Sequence, residues 1–153
     1  MKWVTRRTIR VNRAATAWLI RRFLDPQAVF LFVEPEQVAL VEREQDAIGF
    51  DAPGAKYPHK DAQGRCSFEA LVAERCAADP ALARLARIVH GADFSGVTDP
   101  APEAEGLREI SMGFPLVTRD DHETVERAGF LYDSLYAAIR ERIDAAGGRD
   151  GHA

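Results

Sequence analysis

Cysteine is scarce in this chain. Cys66 and Cys76 are its only two, too few for a disulfide framework and too far apart for a C-x-x-C pair. A reduced, cytoplasmic compartment suits them best. Long apolar runs are missing as well: nothing approaches the ~20 residues of a membrane span, so no membrane partner is expected. The uncharged stretch from Ala14 to Ile20 is short and is followed at once by Arg21-Arg22, so it does not read as a signal peptide. Acidic residues are absent before Asp25, whereas Lys2, Arg6, Arg7, Arg10, Arg13, Arg21 and Arg22 all fall there. The net charge of -4 conceals this basic end. Its field reaches about 10 Å at ordinary salt and would draw an anionic ligand or partner. A solvated basic face paired with carboxylates elsewhere is the plainer alternative. There is no internal repeat.

With 153 residues, the chain reads as one domain over 1–146, long enough to bury a core without staples, with a disordered tail at 147–153. Trp3 to Thr5 opens a short strand that Thr8 to Val11 continues. Asn12 is placed to cap a helix through Leu24, which Asp25-Pro26 ends. Ala28 to Val33 is an apolar strand of the kind buried on both faces. Pro35 suits the first turn of a helix to about Glu44. Ala47 to Phe50 is a short strand, and Asp51 to Gly64 a loop punctuated by Pro53-Gly54 and Pro58. Thereafter the chain reads as helical: Ser67, as cap, to about Ala77; from Asp79-Pro80 through Leu82, Leu85, Ile88 and Val89; and Ala104 to Met112. The longest helix starts at Asp120 and stops at Gly147-Gly148. The expected fold is α+β, or irregular α/β: a small sheet from the first third packed on several helices, the last of them long.

The segment from Tyr57 to Glu69 concentrates the chemistry. His59 is the leading candidate for a metal ligand, since neutral imidazole is the commonest ligand side chain; a surface histidine on a loop is the alternative. Cys66 is either a metal-bound or redox-active thiolate, acidified by a helix start and by Arg65, or a small buried residue. Cys76 reads as core. Glu69 is explained by the helix dipole alone unless other ligands join it. His122 and Glu126, four apart on one helical face, could share a cation such as zinc. Asp120 and Glu123 read as a capping box. His90 and Asp93 suit a helix end, with Asp93 hydrogen-bonding the turn. For anions, Arg13, Arg21, Arg22 and Arg65 are the natural donors, matched to a tetrahedral dianion. A site joining His59 to His122 would have to be assembled by the tertiary fold.

Several segments carry a family resemblance: Lys2-Trp3-Val4-Thr5-Arg6, the run Trp18 to Pro26 (WLIRRFLDP), the His59 loop with Gly64 to Glu69 (GRCSFE), Leu85 to Val89 with Gly91-Ala92-Asp93, and Asp120 to Glu123. In this order they resemble the domain of ChrB-type chromate resistance proteins. The resemblance implies chromate resistance, commonly as a regulator or sensor encoded with a chromate exporter. Larger relatives join the domain to other modules, one of them rhodanese-like. Two departures stand out: Ala15-Thr16-Ala17 replaces an expected Ala-Cys-Pro, removing a thiol, and Asn12 replaces an expected aspartate.

Three classes of function therefore stand side by side. The first, and favoured, is a chromate-resistance domain that senses or handles an oxyanion or a metal ion through His59, Cys66, Glu69 and His122 with arginines nearby. The second is an enzyme, either a hydrolase using a divalent metal cofactor or a thiol-dependent chromate reductase, although one thiol without a resolving partner recycles poorly. The third is a DNA-binding regulator, which the basic N-terminus favours and the acidic total opposes. A homodimer is compatible with all three.

Overall fold

Trp3 and Val4 are neighbours on the first strand, β1 (Lys2–Arg6), yet each belongs to a different core, because successive strand side chains point to opposite faces. The computed structural model describes residues 1–150, with side chains through 148. β1 pairs in parallel with β2 (Val29–Val33) on one side and β3 (Ala47–Gly49) on the other, giving the order β2-β1-β3. The register sets Trp3 beside Phe30 and Ile48, and Val4 beside Leu31 and Gly49. The crossovers send helix α1 (Val11–Leu19) and helix α2 (Val38–Glu44) to opposite faces, as right-handed connections in this strand order require. Val38 of α2 closes the smaller core with Val4, Ala47, Ala52 and Ala55. The larger core gathers Trp3, Phe30 and Phe50 with α1 and the helices beyond it.

α1 is the centre of the molecule: every residue in it except Arg13 is buried. The sheet covers one side, and α3 (Ser67–Arg75), α4 (Pro80–Asp93) and α7 (Asp121–Asp150) enclose the rest. Ala14, Ala15 and Ala17 let these neighbours approach closely. A helix buried on all sides must satisfy its polar side chains internally. Trp18 does so by donating to Asp133 Oδ1 at 2.9 Å while its ring meets Phe23, Tyr132 and Tyr136. α4 adds Leu82 and Leu85, each fully buried and each contributing roughly 1.5–3 kcal/mol of apolar transfer. Asp79 caps it by accepting from the Ala81 and Leu82 amides. α5 (Ala104–Met112) and the short α6 (Phe114–Val117) complete the helical layer.

The α+β architecture and the long last helix match expectation, and several boundaries differ. β1 stops at Arg6 because Thr8 takes a left-handed backbone, φ 61°. Asn12 does not cap α1: the helix starts one residue earlier, and Asn12 is drawn into the interior. The helix continues through a single π-turn, Ile20–Leu24, closed by the Asp25 amide on the Ile20 carbonyl. A 3-10 turn, Pro35–Gln37, precedes α2. Cys66, rather than Ser67, is the N-cap of α3, and Glu69 reaches back to its amide at 3.0 Å. α7 passes through Gly147-Gly148 and extends to Asp150. Positions 151–153 of the expected disordered tail lie outside the described residues. No helix among the described residues is long and apolar enough to cross a membrane.

Candidate functional site

In a parallel sheet of this order the chain leaves β1 toward β2 on one side and reaches β3 on the other. The carboxyl ends of β1 and β3 therefore flank a topological switch point, the place where such sheets gather ligands. The loop after β3 turns back sharply there. The Tyr57 amide bonds the Gly49 carbonyl, the Asp51 amide bonds the Tyr57 carbonyl, and Gly49 lies so close to Ala55 that a Cβ would sit 2.9 Å from its methyl. This fold-back puts Asp51 in a left-handed backbone conformation, φ 50°, with its side chain buried.

Asp51 is the hub of the cluster. Arg6, the last residue of β1, donates its Nε to the Asp51 carbonyl at 2.7 Å and an Nη to Oδ1 at 3.2 Å. Arg13 of α1 places its Nε 3.4 Å from Oδ2 and spends its terminal nitrogens on the carbonyls of Arg6, Arg7 and Thr8. Burial lowers the Arg13 pKa, and the charge of Asp51 opposes that shift. His59 Nδ1 donates to Oδ1 at 2.7 Å, since a carboxylate can only accept. That bond raises the His59 pKa against the opposing effect of partial burial. An imidazole so held keeps a fixed orientation, with its ring 48% exposed.

Asp93, the last residue of α4, lies beside this hub. Its Oδ2 is 3.9 Å from His59 Nδ1 and is buried with no hydrogen-bond partner among the described residues. Burial, then repulsion from Asp51, pushes its pKa up to about 6. Phe94 follows, with the His59 and His90 rings set edge-to-face against it at 5.3 and 4.8 Å and Lys60 over it at 5.4 Å. His90 Nδ1 in turn meets Glu69 Oε1 at 2.5 Å.

The structure distributes the residues singled out from sequence. Arg13 and His59 meet at Asp51. Glu69 is shared between His90 and the Cys66 amide. The Cys66 thiol is fully buried, and burial pushes its pKa up, the reverse of the expected acidification. Cys76 is half-buried at the end of α3, so it is not a core residue in full. His122 and Glu126 are exposed; the His122 ring rests edge-on against Phe32 at 4.9 Å. Asp120 does cap α7, accepting from the Glu123 amide, but the Glu123 side chain is held by Arg119 and Arg127. Among the described residues no three His, Cys, Asp or Glu side chains converge as a metal site would need. Arg21 lies over Phe30, Arg22 pairs with Asp133, and Arg65 pairs with Asp61.

Asp51, Asp93 and Arg6 were not singled out as site residues. The one available signal was Asp93 itself: a carboxylate at a helix C-terminus opposes the dipole, and it does not bond the turn as expected. The two departures noted in sequence are in contact with each other. Thr16 Oγ1 donates to Asn12 Oδ1 at 3.3 Å, and Ser67 Oγ meets both residues, at 3.1 and 3.0 Å.

The fold and the cluster together place this protein among parallel-sheet domains whose polar groups gather at a switch point. The chain belongs to the ChrB family: residues 3–139 match the family described as ChrB, C-terminal domain. It is also 38% identical over 136 residues to Protein ChrB of Cupriavidus metallidurans, a match that covers 88% of this chain and 40% of that protein. The chain thus spans less than half the length of this relative. No solved structure matches.

Proposed function

We propose that this ChrB-family domain serves chromate resistance by binding a tetrahedral oxyanion at the carboxyl edge of its sheet. The observation that carries the reading is the convergence of Arg6, Arg13 and His59 on the single carboxylate of Asp51. Lys60 is one residue from His59 in the same loop. Arg6, Arg13 and a protonated His59 outnumber the carboxylates of Asp51 and Asp93, which leaves a net positive field. Partial burial strengthens it, because screening by water is weaker there. Arg13 is fully used within the fold, so its part is to hold Asp51 and the turn after β1. Arg6 and His59 are the groups with capacity left for a ligand.

This reading draws on neither thiol chemistry nor a bound metal. A buried Cys66 with a raised pKa offers little thiolate to reduce chromate. Arg13, Arg21 and Arg22, the residues that would contact DNA phosphates, are engaged with Asp51, Phe30 and Asp133. Equilibrium dialysis of the full chain against chromate tests the proposal. Arg6→Ala and His59→Ala should each weaken retention by about tenfold or more, the loss of one charge-assisted hydrogen bond. Arg21→Ala and Arg22→Ala should leave it unchanged. Retention that is absent, or indifferent to Arg6 and His59, rules the reading out.

A further inference from the structure

Protein surfaces seldom bare several large apolar side chains together, yet the outer face of α5, α6 and α7 does. Phe130 is 80% exposed and Leu116 84%, with Ile110 and Val117 more than half exposed. These four present on the order of 600 Å² of apolar surface, the upper end for the largest patch on a monomer. Between α5 and α7 the same face is hollow. Two cavities of about 370 and 400 Å³ share Ile110 and Leu131 and so join into one groove, with Arg127 lining the first and Ser134 the second. Phe130 stands on the lip between them, one turn from each, and its carbonyl accepts the Ser134 hydroxyl at 2.7 Å. Gly106 lines the second cavity. A glycine inside a helix costs about 1 kcal/mol against alanine, and a Cβ at this one would meet nothing within 4 Å. The chain's own packing therefore does not require glycine here, whereas a body approaching closely from outside would.

We propose that this face is where two copies of the chain associate, each seating its Phe130 in the other's groove beside Gly106. The surface itself selects the occupant. A protruding ring and a hollow lie side by side on it, and a two-fold axis in the interface, midway between them, fills both hollows at once. With the half-buried Leu131 and Leu135 added, the apolar area approaches the ~800 Å² that each partner gives to a standard interface. Glu103 and Arg127 supply a polar rim. Phe130 at the centre is the anchor, an aromatic ring that becomes desolvated only in the pair. No residue lining the groove belongs to the Asp51 cluster, so association and anion retention are separable.

Sedimentation equilibrium of the full chain over about 1–300 μM, the range of a modest interface, provides the test. The wild type should exchange reversibly between monomer and dimer. Phe130→Ser removes both anchors and should weaken association by about a hundredfold or more. Gly106→Leu fills the groove while gaining helix propensity. It should associate about a hundredfold more weakly and yet unfold at no lower temperature than the wild type, a pair of results that a damaged fold could not give. Proximity is read by cross-linking in a Cys76→Ser background. A mixture of Phe130→Cys and Gly106→Cys chains should form a disulfide between copies under glutathione disulfide, whereas Leu40→Cys, on the exposed side of α2, should cross-link with neither. A chain that stays monomeric throughout the range overturns the proposal, as does a dimer that tolerates both Phe130→Ser and Gly106→Leu or fails to cross-link between positions 130 and 106.

Discussion

Two polar clusters of this fold contrast, one buried and one partly exposed. Asn12, Thr16 and Ser67 form the first, where α1 meets the start of α3. It is neutral, and its members bond one another and the Phe68 amide. Asp51, His59, Arg6, Arg13 and Asp93 form the second, at the carboxyl edge of the sheet. It is charged, it includes a left-handed Asp51, and it leaves one carboxyl oxygen without a donor. The first has every marker of a structural network, whose role ends once its hydrogen bonds are made. The second carries an unspent interaction. Their difference yields measurable consequences.

The largest effect is expected at the hub. Asp51→Ala removes the carboxylate that holds Arg6, Arg13 and His59 together, and uncompensated buried charge costs about 3–5 kcal/mol. Urea unfolding that showed less than about 1 kcal/mol would make the second cluster a surface feature. Asn12→Ala should cost about 2–3 kcal/mol by stranding Ser67, Thr16 and the Phe68 amide. Because every one of those partners is neutral, the loss should be flat between pH 5 and 8, a range in which no group of the network titrates.

Asp93→Asn should have the smallest effect and the opposite sign. Burial raises the folded-state pKa of Asp93 from the ordinary 3.8 to about 6. Its protonated form therefore stabilises the fold fully below pH 3.8, and that contribution is lost as pH rises through about 6. Relative to wild type, the amide should stabilise by roughly 1–3 kcal/mol at neutral pH, with the advantage fading in acid. Parallel stability curves for the two proteins would mean that Asp93 is better solvated than its surroundings imply.

Much of the fold could be read from the chain because its signals are local. The apolar run Ala28 to Val33, the Asp79-Pro80 start and the stripe along α7 each identify an element without help from elsewhere. The failures came where distant partners decide. Asn12 had the composition of a cap, yet burial of α1 and the reach of Ser67 drew it inward. At the site, His59 and Arg13 were legible as residue types that bind. Asp51 passed for a loop aspartate and Asp93 for a helix terminus, because only tertiary structure brings the segments around positions 6, 13, 51, 59 and 93 together. Arg21, Arg22 and Arg65 are by residue type equally suited to an anion; the fold sets them beside Phe30, Asp133 and Asp61, whereas Arg6 and Arg13 meet at Asp51.

One clasp ties the ends of this architecture to each other. The carboxylate of Asp121, at the start of α7, accepts the amides of Thr8 at 2.9 Å and Ile9 at 2.9 Å, across more than a hundred positions of chain. The turn leading out of β1, whose carbonyls hold Arg13, is therefore finished by a residue from a helix far along the chain. A fragment that stopped short of α7 would carry every cation of the cluster and still lack the brace that shapes its rim, so the cluster takes its form only once α7 has docked.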